Sequence, residues 1–183
     1  ASCSGPRMQL IGEGTERVEE VANRLFPRAA VIRLDGDTMR RPAQAEALWR
    51  KIEQGDWDIV VGTQLLLRRV GLPRMGLVGI VQADAGLSMP DFRSAERTYH
   101  LLLDAISLAD SATNGGQVIV QTYLSSHHAI QAVAQNEESI FLREELSYRQ
   151  ALGYPPTVYL IALLVSGSDE KMVRAAAAAW VVR

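Results

Sequence analysis

Residues 58–64 read Asp58-Ile59-Val60-Val61-Gly62-Thr63-Gln64 and give the clearest local indication of the fold class. Its apolar run is long enough for one short buried strand, and the small residues Gly62 and Thr63 suit the turn that ends it. The residues before it predict a helix from about Pro42 to Gln54, because apolar side chains recur on one face and Gly55 provides a stop. A helix that leads into a buried strand is typical of a parallel α/β sheet.

The same alternation of helix and strand continues on both sides of this stretch, with an upstream helix that Thr15 can cap. Strands separated by helices predict an α/β fold in which one parallel sheet is covered by helices on both faces. The predicted strands are Ala30–Leu34, Asp58–Val61, Leu77–Val81, Gln117–Thr122 and Val158–Val165, and the longest predicted helix runs from about Asp91 to Ala109.

Gly153 and the pair Pro155-Pro156 break the pattern and predict a domain boundary. We therefore expect an entry segment over residues 1–13, a main domain over 14–150 and the start of a small α+β domain over 151–183. The chain opens in a polar segment and stops while Ser168–Arg183 still has a helical pattern. This leads us to expect a piece of a longer polypeptide.

Composition excludes several classes of protein. The 183 residues carry 19 basic and 21 acidic side chains, a net charge of −2, which argues against strong sequence-independent binding of nucleic acid. The lone cysteine, Cys3, excludes an internal disulfide and cannot by itself form a thiolate metal site. The longest apolar runs, such as Ala175–Val182, are too short to cross a bilayer, so we expect a cytoplasmic protein without membrane contact.

Three loops at the ends of predicted strands could form a ligand site. They are residues 34–38, 61–64 and 82–86, and ligands of open parallel sheets bind at the carboxyl ends of the strands. The alternative is that Gly, Asp and Thr simply make turns there. The sequence lacks both the G-x-x-x-x-G-K-[ST] and the G-x-G-x-x-G phosphate-binding patterns, so this chain alone does not hold a nucleoside triphosphate in the usual way.

Basic and histidine residues give weaker signals. Arg68 and Arg69, together with Arg74, follow a strand end and could contact phosphate, although such clusters are more often solvated surface. The neighbours His127 and His128 would point in different directions on a regular element, so we expect solvated or helix-capping histidines and not a shared metal site.

An ordered series of motifs extends through almost the whole chain. It consists of Gly14-Thr15-Glu16-Arg17-Val18-Glu19-Glu20, Leu34–Thr38, Gly62-Thr63-Gln64-Leu65-Leu66, Asp84-Ala85-Gly86-Leu87, Pro90–Thr98, Gln121-Thr122-Tyr123 and Ala151-Leu152-Gly153-Tyr154-Pro155-Pro156. From about Gly12 to Gly167, the series resembles the second motor lobe and the beginning of the C-terminal domain of the primosomal replication-restart helicases.

The resemblance implies a superfamily-2 DNA helicase with two RecA-like lobes that clamp ATP, and with zinc bound in an insertion of the second lobe. It implies that Cys3 is one zinc ligand and that the other ligands and the ATP-gripping lobe lie upstream. Thr63 and Gln64 match the motif that contacts the DNA backbone and senses the nucleotide. The implied partners are branched or single-stranded DNA, other primosome proteins and the first lobe. Candidate nucleotide- or DNA-contacting residues are Gly62, Thr63, Gln64, Arg68, Arg69 and Asp84.

Two motifs depart from the family pattern. Leu67–Pro73 stands where the family has Ala-Lys-Gly-His-Asp-Phe-Pro, and Asp104–Ser111 stands where it has Gln-Val-Ala-Gly-Arg-Ala-Gly-Arg. Both arginine positions are therefore lost, to Leu108 and Ser111. Loss of an arginine that neutralises the transferred phosphoryl group typically costs about 10³–10⁵ in rate.

Three interpretations follow. The first is a motor lobe that binds DNA and primosome partners while ATP-driven unwinding is weak or lost. The second is an active 3′–5′ helicase lobe in which another arginine, such as Arg68 or Arg69, substitutes. The third is an unrelated α/β domain that binds a small phosphorylated ligand at its strand ends.

Overall fold

The computed structural model describes residues 14–68, 71–109, 115–161 and 163–180, and of Arg68 it describes the backbone alone. Compact packing divides the chain into two units, residues 1–145 and residues 146–183. The elements are α1 (Thr15–Leu25), β1 (Val31–Leu34), α2 (Gly36–Met39), α3 (Pro42–Gln54), β2 (Ile59–Gly62), a 3₁₀ turn (Leu66–Arg68), β3 (Leu77–Ile80), α4 (Asp84–Leu87), α5 (Ser94–Ser107), β4 (Gln117–Val120), α6 (His128–Gln135), α7 (Glu138–Leu152) and α8 (Glu170–Ala179). The predicted α/β class is confirmed.

The first sheet consists of β1 and β2, which pair in parallel so that Leu34 lies opposite Gly62. Helix α3 begins with Pro42 in its first turn and ends at Gly55, whose φ of 77° lies in the left-handed region that glycine adopts freely. Trp49 and Ile52 of α3 pack against the buried side chains of β1 and form the core of this part of unit 1.

The second sheet consists of β3 and β4, also parallel, with Leu77 opposite Gln117. Its core contains Ala83, Leu102 and Ile130, because α5 and α6 cover one face. Within the described residues the four strands form two separate pairs, so the single sheet predicted from the sequence is not what the structure shows. The physical reason is that apolar periodicity locates a strand but does not specify its hydrogen-bonded neighbour.

Helix α5 packs on α6 and α7 through a stack of rings. The rings of Tyr99 and Phe141 lie parallel with their centroids 4.2 Å apart, and the His128 ring stacks on Phe141 with the centroids 5.6 Å apart. The Nε2 atom of His128 lies 2.9 Å from the Oε2 atom of the buried Glu145. The expectation of a capping histidine is confirmed at His127, whose Nδ1 atom accepts the Ala129 N–H at the start of α6.

Unit 2 differs from the prediction in one element. Residues 158–161 and 163–165 form no strand, and Tyr159 and Leu164 are 100% and 94% exposed. The strand predicted over Val158–Val165 is therefore wrong for the described part of this segment, because a strand requires a hydrogen-bonded partner and the described residues of unit 2 provide none. Helix α8 begins where Asp169 accepts the N–H groups of Lys171 and Met172. Among the described residues, none of the helices is long and apolar enough to cross a membrane.

The cap at His127 makes the stability of unit 1 sensitive to pH. Burial and the neighbouring His128 lower the pKa of His127, so the unfolded chain binds more protons and stability falls as pH decreases through about 6.5. We expect the His127→Asn variant, whose side-chain oxygen can accept the Ala129 N–H in place of the ring Nδ1 atom but does not titrate, to show a smaller loss of urea-midpoint stability between pH 7 and pH 5. His100→Asn, at an exposed position of α5, is the control. An unchanged pH dependence in His127→Asn would contradict this assignment.

Candidate functional site

The predicted site lies at the carboxyl ends of β1 and β2, where Gly62 is packed tightly. A Cβ atom added at Gly62 would lie 2.6 Å from the Leu34 carbonyl oxygen, which is backbone and cannot yield easily, and it would also collide with the Leu66 side chain. Glycine is therefore required here because the ends of the two strands approach each other closely.

The turn after Gly62 presents two polar side chains to solvent. Its backbone is held by hydrogen bonds from the Leu66 N–H to the Thr63 carbonyl (3.0 Å) and from the Leu67 N–H to the Gln64 carbonyl (3.2 Å). The side chains of Thr63 and Gln64 are exposed. A backbone fixed in this way holds a hydroxyl and an amide at the edge of the sheet, where they can contact a phosphate or a sugar.

Asp35, at the end of the adjacent strand, is a buried carboxylate that joins three elements. Its Oδ2 atom accepts hydrogen bonds from the Thr15 hydroxyl at the start of α1 (2.7 Å) and from the Arg33 guanidinium on β1 (2.8 Å). Its Oδ1 atom accepts the N–H groups of Asp37 (3.0 Å) and Thr38 (2.9 Å), which open α2. The Thr38 hydroxyl in turn accepts the Asp35 N–H at 2.9 Å, which completes a capping box.

The electrostatics of Asp35 favour the ionised carboxylate. Burial alone would raise its pKa, but the Thr38 N–H, the Thr15 hydroxyl and the charge of Arg33 outweigh burial, and together they leave the pKa below its usual value. Arg33 is itself held by Glu19 at 2.9 Å and by Glu16 at 3.3 Å. With its acceptor positions occupied in this way, Asp35 acts as a structural anchor for the loop.

Asp84 forms a comparable set of hydrogen bonds between the loops that follow β3 and β4. Its carboxylate accepts the Thr122 hydroxyl at 2.5 Å and the N–H groups of Tyr123 and Leu124 at 3.0 and 3.1 Å. The hydrogen bond from Thr122 is the main reason that the pKa of Asp84 is lowered. The carboxylate is thus committed to protein donors, and it holds together the two loops that follow these strands.

The sequence-predicted candidates therefore separate into groups. Gly62, Thr63 and Gln64 follow the strand pair that ends next to Asp35, whereas Asp84 begins α4 after β3 of the second sheet. Arg69, Cys3 and the side chain of Arg68 lie outside the described residues. Arg74, the third member of the basic cluster, donates a hydrogen bond to the Ser107 carbonyl at the end of α5 (2.9 Å). No group of three or more His, Cys, Asp or Glu side chains in the described part of the chain is arranged to hold a metal ion.

Sequence reasoning placed Asp35 only in a strand-end loop and missed its role as an anchor. The signal was present, because an Asp three residues before a Thr at the start of a helix is a capping pattern. The partner Thr15 could not be found in the same way, since it lies 20 residues away in sequence.

Comparison with known proteins adds what the geometry alone does not give. Over 177 residues, which are 97% of the chain, 38% are identical to replication restart protein PriA of Bacillus subtilis (strain 168). The chain is homologous to a segment of PriA. PriA of Synechocystis sp. (strain ATCC 27184 / PCC 6803 / Kazusa) is 40% identical over 93% of the chain, and PriA of Thermotoga maritima is 34% identical over 93%.

The matched segment is only part of each PriA relative. The chain spans 22% of the length of the Bacillus subtilis protein and 21% and 23% of the other two. No protein-family model matches the chain. The similarity to PriA includes the strand-end loops described above, because it covers nearly all of the chain.

The Asp35 anchor can be tested by a single substitution. Asp35→Asn removes the charge that the Thr15 hydroxyl and the Arg33 guanidinium contact, and we expect the free energy of unfolding to fall by about 1–3 kcal/mol at pH 7. Asp37→Asn, with its side chain 78% exposed, is the matched control and should change stability by under about 0.5 kcal/mol. Denaturant unfolding monitored by circular dichroism measures both.

The same pair of variants gives a pH dependence of known sign. Because the pKa of Asp35 is depressed in the folded state, its contribution is present above the unfolded value of about 3.9 and is lost as pH falls through the lower folded value. The difference in stability between the native chain and Asp35→Asn should therefore shrink below about pH 4. A difference that stays constant or grows there would exclude the ionised anchor.

Proposed function

We propose that this chain is the second RecA-like motor lobe, with the start of the following domain, of a replication-restart helicase. In this role it binds branched DNA and primosome partners in the cytoplasm, together with a first lobe that supplies the ATP-gripping loop. The observation that carries the proposal is the similarity to PriA over 97% of the chain, with 38% identity.

The DNA contact is proposed at the turn of Thr63 and Gln64. Both side chains are exposed at the carboxyl edge of the β1–β2 sheet, and their backbone is fixed by hydrogen bonds within the turn. Hydroxyl and amide groups contact phosphate and sugar without reading the base sequence. The net charge of −2 makes the affinity of this chain alone weak, since sequence-independent binding depends on phosphate neutralisation.

We propose that ATP-driven unwinding is weak or absent because of the residue that follows α5. The helix runs without interruption from Ser94 to Ser107, and Leu108 follows it as the C-cap. Leucine carries no charge and donates no side-chain hydrogen bond, so it cannot neutralise a γ-phosphate as the arginine of the family pattern would. The other arginine of that pattern is replaced by Ser111, which lies outside the described residues.

A second candidate function, an active motor, is favoured by one contact. The guanidinium of Arg74 is held at the end of α5 by its hydrogen bond to the Ser107 carbonyl, one residue before Leu108. The backbone supports this placement, because the Met75 N–H donates to the Leu108 carbonyl at 2.8 Å. Arg74 is therefore the arginine whose described position best suits it to substitute for those lost.

We propose that zinc and ATP are bound by a longer protein of which this chain forms a part, and not by this chain alone. Cys3 would supply one zinc ligand and residues outside this chain would supply the others. Bound zinc would fix the fold of the insertion, and ATP would be gripped chiefly by the first lobe.

A chimera tests the two functions against each other. We propose to replace the matching segment of Bacillus subtilis PriA by this chain and to measure affinity for a forked DNA and DNA-stimulated ATP turnover. We expect fork affinity to stay within about tenfold of the parent while turnover falls by about 10³–10⁵, because the charges that meet the phosphoryl group are missing. Leu108→Arg combined with Ser111→Arg should restore at least part of the turnover.

Controls separate the effect of position from the effect of added charge. Leu103→Arg, at an exposed site on the same helix, adds an arginine away from the motif and should restore nothing. Brisk turnover in the unmodified chimera that is abolished by Arg74→Ala would replace the first function by the second. Loss of fork binding in a folded chimera would refute the proposed role in DNA binding.

A further inference from the structure

The turn that follows α1, residues 24–28 (Arg24-Leu25-Phe26-Pro27-Arg28), combines exposed apolar and basic side chains. We refer to it as the basic-apolar turn. Leu25 and Phe26 are 62% and 55% exposed, although both are large and apolar. Arg24 and Arg28 on either side of them are also exposed. Aromatic and arginine side chains together are the composition that dominates the energetic centres of protein interfaces.

The two arginines differ from most others in the described residues. Neither forms an ion pair with a described residue, and two acidic side chains of the same part of the chain are engaged elsewhere. Glu20, one turn before Arg24, pairs with Arg17 at 3.0 Å, and Asp58 accepts the Ala30 N–H at 2.7 Å. By contrast, carboxylates pair with Arg17, Arg33, Arg40, Arg50, Arg93, Arg97, Arg143 and Arg174.

The backbone of the basic-apolar turn is held in place. The Phe26 N–H donates to the Ala22 carbonyl at 2.8 Å, and the Ala29 N–H donates to the Phe26 carbonyl at 3.0 Å. Pro27 restricts φ between these two bonds. The side chains of Leu25 and Phe26 are therefore presented on a preorganised segment, which lowers the entropy cost of binding.

The basic-apolar turn is separate from the candidate site. It leads into the amino end of β1, whereas Asp35 and the turn of Thr63 and Gln64 follow the carboxyl ends of β1 and β2. Substitutions in residues 24–28 can therefore be made without altering the proposed DNA contact. An interaction here goes beyond the proposed function and does not depend on it.

We propose that the basic-apolar turn docks an extended acidic segment of a partner protein, one in which carboxylates alternate with apolar side chains. Arg24 and Arg28 would pair with the carboxylates, and Leu25 and Phe26 would cover the apolar side chains between them. A protein segment fits better than nucleic acid because only one of the two exposed apolar side chains, Phe26, offers a ring for a base to stack on. The net charge of −2 also disfavours a polyanion that depends on many phosphate contacts.

The test uses the full 183-residue chain and a fluorescein-labelled ten-residue peptide in which Asp alternates with Leu and Phe. Fluorescence anisotropy should show saturable binding. Arg24→Glu combined with Arg28→Glu should weaken it at least tenfold, and so should Phe26→Ala. A peptide with Ala in place of Leu and Phe should bind at least tenfold more weakly, because the apolar contact is lost.

Matched variants make the result specific. Arg50→Glu combined with Arg143→Glu changes the net charge equally at exposed sites on α3 and α7, and Met89→Ala shortens an exposed apolar side chain elsewhere. These controls should bind the peptide within about twofold of the native chain, and circular dichroism should show all variants folded. Equal weakening by the controls, or no saturable binding to the native chain, would overturn the proposal. Tighter binding of labelled (dT)₂₀ that the substitutions at Arg24 and Arg28 abolish would overturn it in favour of a nucleic-acid site.

Discussion

The buried carboxylate of Asp35 is the interaction on which the first sheet and its edge depend. Four donors from three elements converge on it: the Thr15 hydroxyl, the Arg33 guanidinium and the N–H groups of Asp37 and Thr38. A buried charge is tolerated only where donors of this kind replace water. One side chain therefore helps to fix α1, β1 and the start of α2 relative to one another. Loss of its charge removes the anionic acceptor that the Thr15 hydroxyl and the Arg33 guanidinium share.

The Asp35 carboxylate positions the backbone of the candidate site, whereas the polar side chains that could contact a ligand come from the neighbouring turn of Thr63 and Gln64. Leu34 precedes Asp35 and lies opposite Gly62, so the end of β2 is positioned against a fixed strand. The close approach of Gly62 to the Leu34 carbonyl then directs Thr63 and Gln64 outward. Asp84 and Thr122 repeat the arrangement at the ends of β3 and β4 with a different acceptor and donor set. The carboxylates of Asp35 and Asp84 both hold loop backbone in place by accepting N–H groups. The exposed side chains of Thr63 and Gln64 remain able to contact a ligand.

The positions of helices and strands could be predicted from the sequence better than the pairing of the strands. The strand at Asp58–Val61 was predicted to within one residue at each end, because its apolar run and the following Gly62 are local signals. The end of α5 was placed two residues too late, since Ala109, two residues after Ser107, forms a β-bridge with Met75 and does not continue the helix. The pairing of β1 with β2 and of β3 with β4, and the absence of a strand in the described part of 158–165, depend on contacts between distant residues. The hydrogen bond between Thr15 and Asp35 cannot be predicted from the sequence for the same reason. The strand end at Gly62-Thr63-Gln64 can be predicted, because the apolar run and the glycine that follows it are local signals.

The role of Asp35 can be measured by titrating its side-chain carboxyl in the native chain, followed by ¹³C NMR and assigned by the signal that Asp35→Asn lacks. We expect a midpoint clearly below the ordinary aspartate value of about 3.9, because ionisation is favoured by the donors that surround this group. A midpoint at or above that value would mean that burial dominates, and it would contradict the claim that an ionised Asp35 holds α1, β1 and α2 together.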